Sequence, residues 1–314
     1  MSPGKQVSIL IPTHNRAELL AQTLDGLAAM DLPRPDEVEL IVVANACSDQ
    51  TEQVVAERVE QMPFATRCVV EPQAGSSVAR NRAMAEARGG IFAFLDDDVR
   101  VSRDWLTSVL ETFDTTPAGH VAGRVKLWWA AVDRPPWFDA AMARLFAEKD
   151  HGEQVVELHE PADAVTANYA IRRKVYEDIG GFRVALGRRG KGGGSCEDPD
   201  FIGRALQAGH RMFYCPTASV QHWIEPGRLE YSQLVRMARG MERARVMAKA
   251  SFGPATAVRC LVGHLWLVAR YGPLDAWCLL TGRRYAHIST RLLHHNGWGG
   301  LNGMVRRLLH GAAI

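Results

Sequence analysis

Four times in the first hundred residues a short apolar run gives way to a turn, and in each case a segment with helical apolar spacing follows. Val7 to Ile11 is stopped by Pro12 and precedes Arg16 to Met30, where Leu19, Leu20, Leu24 and Leu27 share a helical face. Val38 to Ala44 repeats the strand pattern, and Ser48 is the expected cap of a helix carrying Val54, Val55 and Val59. Cys68 to Val70 is a third strand. After Gly75-Ser76-Ser77, an alanine-rich helix over 78–88 is expected to end at Gly89-Gly90. Ile91 to Leu95 is the fourth strand, and its lack of polar alternation marks a strand covered on both faces. Four βα units in succession predict an α/β fold with a Rossmann-like, doubly wound, mostly parallel sheet.

The fourth strand empties into Asp96-Asp97-Asp98. Open α/β sheets bind ligands at the carboxyl ends of their strands, and three carboxylates at one point repel unless a cation holds them. With the side-chain period of a strand, Asp96 and Asp98 point one way and Asp97 the other. Two carboxylates on one side suit a hard divalent cation that also binds phosphate oxygens.

Beyond the acids, a helix is expected over 104–112 and a strand over 120–128, before an aromatic, proline-bearing stretch breaks the rhythm. A strand over 164–171 and a short helix over 174–179 follow, then a loop over 187–195 with five glycines and three cations. Arg188, Arg189 and Lys191 of that loop are candidates to close over a diphosphate. Pro199 to Ala208 reads as a helix, followed by short strands at 211–214 and 219–222. Glu197-Asp198 adjoins the helix start, where a carboxylate is favoured by backbone amides and is a candidate general base. His222 ends the last short strand.

The charge balance is uneven along the chain. Net charge is only +2, yet from Pro226 onward 13 Lys and Arg face 3 Asp and Glu. This segment is helical in pattern and basic, and Leu261, Leu265, Trp266, Leu267 and Trp277 give it an apolar component. Such helices lie on an anionic membrane surface, or pack on a neighbouring domain or subunit. No stretch reaches the run of apolar residues that a spanning helix needs, because Arg259, His264 and Arg270 interrupt the best candidate. The first apolar run is too short for a signal peptide, and the six cysteines show no metal or redox spacing. A cytoplasmic protein is expected, peripheral at the inner face of the cytoplasmic membrane if the basic helices bind lipid. No nucleic-acid-binding module is recognisable.

Several motifs together carry a family resemblance. The segments 7–16 (VSILIPTHNR), 42–51 (VVANACSDQT), 75–81 (GSSVARN) and 94–98 (FLDDD) resemble, in order and spacing, the nucleotide-sugar motifs of family 2 glycosyltransferases. The likeness continues through Asn168 to Arg173, Gly180-Gly181-Phe182, Glu197 to Asp200 and Val220-Gln221-His222. It implies a GT-A fold over residues 1–225, with 226–314 as a C-terminal helical extension. It also implies inverting transfer of a sugar from a nucleotide diphosphate to a hydroxyl of a glycan or lipid-linked acceptor, in polysaccharide or glycoconjugate biosynthesis, with Mn or Mg as cofactor. By position, Pro12, Thr13, Asn15, Arg16, Asn45, Gly75, Arg80, Asp96 and Asp97 match the nucleotide-sugar site. Asp96, Asp98 and His222 match the metal ligands, and Asp198, with Glu197 beside it, matches the catalytic base.

The family often has an acid at the position of Ala44, where it recognises uridine, so UDP-, GDP- and dTDP-sugars all remain open as donors. Two other functions compete. A sugar-nucleotide nucleotidyltransferase would carry a glycine- and arginine-rich triphosphate loop after the first strand, and Pro12 to Arg16 contains no glycine. A non-catalytic nucleotide-binding scaffold would lack part of the acid set, whereas Asp96, Asp98 and Asp198 are all present.

Overall fold

The computed structural model describes residues 7–32, 34–187, 196–248 and 254–310. Its first half is the expected alternation: β1 (Val7–Thr13), α1 (Ala17–Ala28), β2 (Val38–Asn45), α2 (Thr51–Arg58), β3 (Ala65–Glu71), α3 (Ser76–Glu86) and β4 (Ile91–Leu95). The four strands pair in the order β3-β2-β1-β4, all parallel. Each of these strands that reads as an unbroken apolar run is buried on both sides. In β4 Ala93 and Leu95 face one core, against Leu24 and Leu27 of α1. Phe92 and Phe94 face the other, against Ala83 and Met84 of α3. Truncating either phenylalanine to alanine removes burial worth about 3–5 kcal/mol.

Past the acids the sheet changes direction. The elements are β5 (Val99–Val101), α4 (Trp105–Thr115), β6 (His120–Trp128), α5 (Ala140–Leu145), β7 (Val156–Leu158), β8 (Asn168–Arg172), α6 (Arg173–Ile179), α7 (Glu197–Gln207) and β9 (Met212–Trp223). Strand β8 inserts antiparallel between β4 and β6, while β9 runs parallel to β6 and antiparallel to β5 and β7. The register that matters most sets His222 of β9 opposite Val99 of β5. The Trp223 N–H then donates to the Asp98 carbonyl at 2.9 Å, so β9 ends beside the acid turn.

Several local expectations are corrected. The two strands expected at 211–214 and 219–222 form one strand with a register shift opposite Gly123 and Arg124. Asn168 occupies the irregularity, donating to the carbonyls of Arg124 and Ala218 at 2.9 and 2.8 Å, so the chain keeps its pairing across the bulge. Helix α2 has Gln50, not Ser48, at its N-cap, and Asp49 just before it accepts from the Thr51 N–H; the Ser48 N–H instead donates to Asn15 Oδ1. Helix α3 stops at Glu86, ahead of the glycines. Gly89 is there for space, since a Cβ would lie 2.6 Å from the Ser8 nitrogen. The strand expected from residue 164 begins only at Asn168, because Thr166 is turned toward Asp198.

The chain separates into two compact units, one of Met1–Trp128, Ala147–Val184 and Glu197–Trp223, the other of Trp129–Phe146, Ala185–Cys196 and Ile224–Ile314. Trp129–Phe146, from before residue 225, therefore clusters with the helices. The second unit holds α8 (Tyr231–Ala248), α9 (Pro254–Leu280) and α10 (Ile288–His310). Glycines let α10 approach closely: a Cβ at Gly299 would strike the Arg239 backbone, and one at Gly300 the His264 ring. At their centre the fully buried Arg291 pairs with Asp275 of α9 at 2.8 Å and with the Tyr231 hydroxyl of α8 at 3.0 Å. Among the described residues no helix is long and apolar enough to cross a membrane.

His120, at the start of β6, is buried between the Tyr169 hydroxyl and the His210 carbonyl. Burial holds its pKa down at about 4, against the pull of the His210 carbonyl. The unfolded chain binds a proton here near pH 6.5, so the native state's advantage is full above that pH and is lost as pH falls toward 4. The loss is on the order of 3 kcal/mol. Urea unfolding at pH 7, 5.5 and 4.5 should show a His120→Gln variant that starts less stable yet falls more shallowly with pH than the parent. Parallel pH profiles would remove His120 as the cause.

Candidate active site

The acid turn is fixed from behind. The Thr23 hydroxyl of α1 lies 2.9 Å from the carbonyls of Asp97 and Val99 and accepts from the Val99 N–H at 3.2 Å. The strand stops at Leu95, so the acids do not continue its alternation: in the turn Asp97 and Asp98 share Arg16, while Asp96 turns to Arg80. Asp97 points into the protein, where it accepts from the Thr13 hydroxyl at 2.7 Å and from Arg16 Nη1 at 3.1 Å. Asp98 accepts from the same Arg16 nitrogen at 2.6 Å and faces His222 on its other side, with Nε2 at 3.2 Å. Asp96 is the most open of the three and meets Arg80 Nη2 at 3.3 Å.

Electrostatics follow from this crowding. Burial, with the charge of Asp98 next, pushes the Asp97 carboxyl up to about 6, while Arg16 pulls it back. For Arg16, burial works against the charge, but Asp98 and Asp97 together hold its pKa above the ordinary arginine value. Asp96, Asp98 and His222 each bring a ligand atom within 4.8 Å of the others. Two carboxylate oxygens and one imidazole nitrogen, with coordination positions left over, form a donor set that fits Mn²⁺ or Mg²⁺.

A second acid cluster stands next to the first, and Arg80 joins them. This buried guanidinium, projected from α3, reaches Glu197 at 3.1 Å and Asp198 at 3.7 Å as well as Asp96. Burial opposes its charge, but Asp198, Asp96 and Glu197 hold its pKa raised. Glu197 and Asp198 lie in the first turn of α7, not before it, where the amides and dipole favour carboxylates. Their settings differ. Glu197 is buried and also accepts from the Ser76 hydroxyl at 2.8 Å. Asp198 keeps 20% of its side chain exposed and is clasped by Thr166, whose N–H and hydroxyl donate at 3.0 and 2.9 Å.

The remaining expected residues gather at the same end of the sheet in two groups. Pro12 and Thr13 close β1, and Asn15 follows in a left-handed conformation (φ 52°), with its Oδ1 accepting from the Ser48 N–H. Asn45 closes β2. Its amide donates to the carbonyls of Glu71 and Gln73 and accepts from the Gly75 N–H at 2.8 Å, lacing together the loops after β2 and β3. That side chain is committed to shaping the loops. Arg188, Arg189 and Lys191 lie outside the described residues. Sequence reasoning missed Thr166 and Thr23, because nothing local in the sequence marks a threonine that must reach a distant turn.

Comparison with known proteins points to one family. The family model described as Glycosyl transferase family 2 matches residues 8–180. The succinoglycan biosynthesis protein ExoM of Rhizobium meliloti is 30% identical over 275 residues, covering 87% of this chain and 82% of its own. A glucosyl-dolichyl phosphate glucuronosyltransferase of Haloferax volcanii is 26% identical, covering 73% of each chain. Among solved structures, the mannosyltransferase PcManGT from Pyrobaculum calidifontis, in complex with GDP-Man and Mn²⁺, superposes with a TM-score of 0.63 at 21% identity, covering 99% of this chain and 89% of its own.

Removing Arg80 leaves Glu197 buried beside like charges, so Arg80→Met should cost about 3–5 kcal/mol of stability. Adding Glu197→Gln to that variant should recover part of the loss in a denaturant double-mutant cycle. Additive single losses would show that the pair is not coupled.

Proposed function

This chain belongs to glycosyltransferase family 2 and has the GT-A fold, and we propose that it is a metal-dependent inverting enzyme. In this reading it moves a sugar from a UDP-, GDP- or dTDP-linked donor to a hydroxyl of a glycan or lipid-linked acceptor. The observation that supports it best is the placing of one partly open carboxylate, Asp198, across Arg80 from the Asp96, Asp98 and His222 donor set. Inversion needs a single base on the side opposite the leaving group, and of the two α7 acids Asp198 is the one with access to solvent.

Asp198 accepts the proton of the acceptor hydroxyl as its oxygen attacks the anomeric carbon. Thr166 orients that carboxylate, and the Arg80 guanidinium lies 3.7 Å from it. Asp96, Asp98 and His222 would hold Mn²⁺ or Mg²⁺, which neutralises charge on the departing diphosphate. Arg16 fixes Asp98 from behind, so the ligand set does not have to rearrange as that charge builds. Thr13, Asn15 and the loop shaped by Asn45 and Gly75 form the floor for base and ribose, and Glu197 acts as a buried brace for Arg80.

The names of the relatives support a place in polysaccharide or glycoconjugate biosynthesis, and the manganese and GDP-mannose of the structural neighbour support the metal and the donor class. We assign transfer to residues 1–225 and place the reaction in the cytoplasm, with the acceptor presented at the inner face of the membrane. In a donor-hydrolysis or transfer assay, Asp198→Asn should lose about 10²–10⁴-fold in turnover while nucleotide affinity stays near that of the parent. Near-parental turnover would remove Asp198 from the base role.

A further inference from the structure

Helix α9 is built inside out. Its buried positions include His264 and Asp275, and Asp275 is bonded inward to Tyr231 and Arg291. Its exposed positions include Val258, Leu261, Val262, Leu265, Trp266 and Leu280, with Val262 60% and Leu280 88% accessible. At 100° per residue these side chains, with Ala269, Pro273 and Ala276, fall within an arc of roughly 140° that contains no charged residue. The stripe runs for roughly 33 Å from Val258 to Leu280. A helix facing water would place these residues the other way round, so the pattern identifies a face made for an apolar surrounding.

The flank of the stripe says which surrounding. Arg259 and Arg270 border one side with Trp277, and the Arg283 guanidinium sits 5.3 Å over the Trp277 ring. The only acid in α9 is the buried Asp275, and from residue 226 on 13 Lys and Arg face 3 acids. Tryptophan and arginine at the edge of an apolar stripe match the boundary between lipid headgroups and acyl chains, where apolar bodies sink and charged tips stay wet. The helix is not apolar enough to cross a bilayer, so the fitting geometry is flat on the surface.

We propose that the outward face of α9 docks this protein on an anionic lipid surface, with the Val258-to-Leu280 stripe in the acyl boundary and Arg259 and Arg270 at the phosphates. The proposal rests on the membrane-side placement made above and names the surface responsible. Vesicle binding needs neither donor nor acceptor, so its failure would leave sugar transfer standing.

The test is flotation of the full chain with vesicles of phosphatidylcholine alone or with about one-third phosphatidylglycerol, at low and high salt. The parent should float with the anionic vesicles, more weakly at high salt. Leu265→Glu with Leu280→Glu should weaken this at least about tenfold, and Arg259→Gln with Arg270→Gln should reduce the preference for anionic lipid. If the glutamate pair melts early, Val262→Ser with Leu280→Ser reads the same contact. No binding of the parent to anionic vesicles, or binding indifferent to the stripe substitutions, would overturn the proposal. So would a dimer by light scattering that those substitutions dissociate, since the face would then be covered by a second copy.

Discussion

Five carboxylates, Asp96, Asp97, Asp98, Glu197 and Asp198, are held at one end of the sheet by two guanidiniums, Arg16 and Arg80. Like charges at this density would drive the loops apart, and burial of Asp97, Asp98 and Glu197 takes away the water that would otherwise screen them. Each guanidinium therefore serves two or three acids. The balance still leaves the pocket net negative, which is the electrostatic setting in which a divalent cation and its phosphates bind well.

The sheet makes that concentration of charge affordable. Parallel β1, β2 and β4 end together, so Thr13, Asn45 and Asp96 reach the same edge from three strands. The antiparallel return through β8 leaves β6 and β9 running in the same sense as β4, which brings His222 to that edge, where β9 pairs with β5 immediately after the acids. Helix α7 supplies Glu197 and Asp198 from its first turn. The proposed donor half of the site is built from strand ends and rigid cores, whereas Asp198 depends on one helix start and the Thr166 clasp.

Much of this was readable from the chain because the relevant physics is local. An unbroken apolar run needs cover on both faces, so Ile91 to Leu95 had to be a central strand; the expected alternation of the acids fails because the strand ends before them, and Asp97 and Asp98 share Arg16 in a turn. What escaped depends on distant segments meeting. Thr166 was read as part of a strand, but it turns out of the ladder to hold Asp198, 32 residues away. Asn45 matched a nucleotide contact by position, yet its amide is spent on three backbone groups of neighbouring loops. The apolar residues of α9 were visible as a component of a basic helix; only packing against α8 and α10 decides that they face outward.

The claim on which the account stands is that the acid turn and His222 hold a divalent metal that in turn holds the nucleotide diphosphate. Calorimetric titration of UDP, GDP and dTDP into the protein, with and without Mn²⁺, addresses it directly. At least one nucleotide should bind at least about tenfold tighter with the metal, and Asp98→Asn should erase that gain. Equal affinity with and without Mn²⁺ for every nucleotide, or none binding at all, would contradict it.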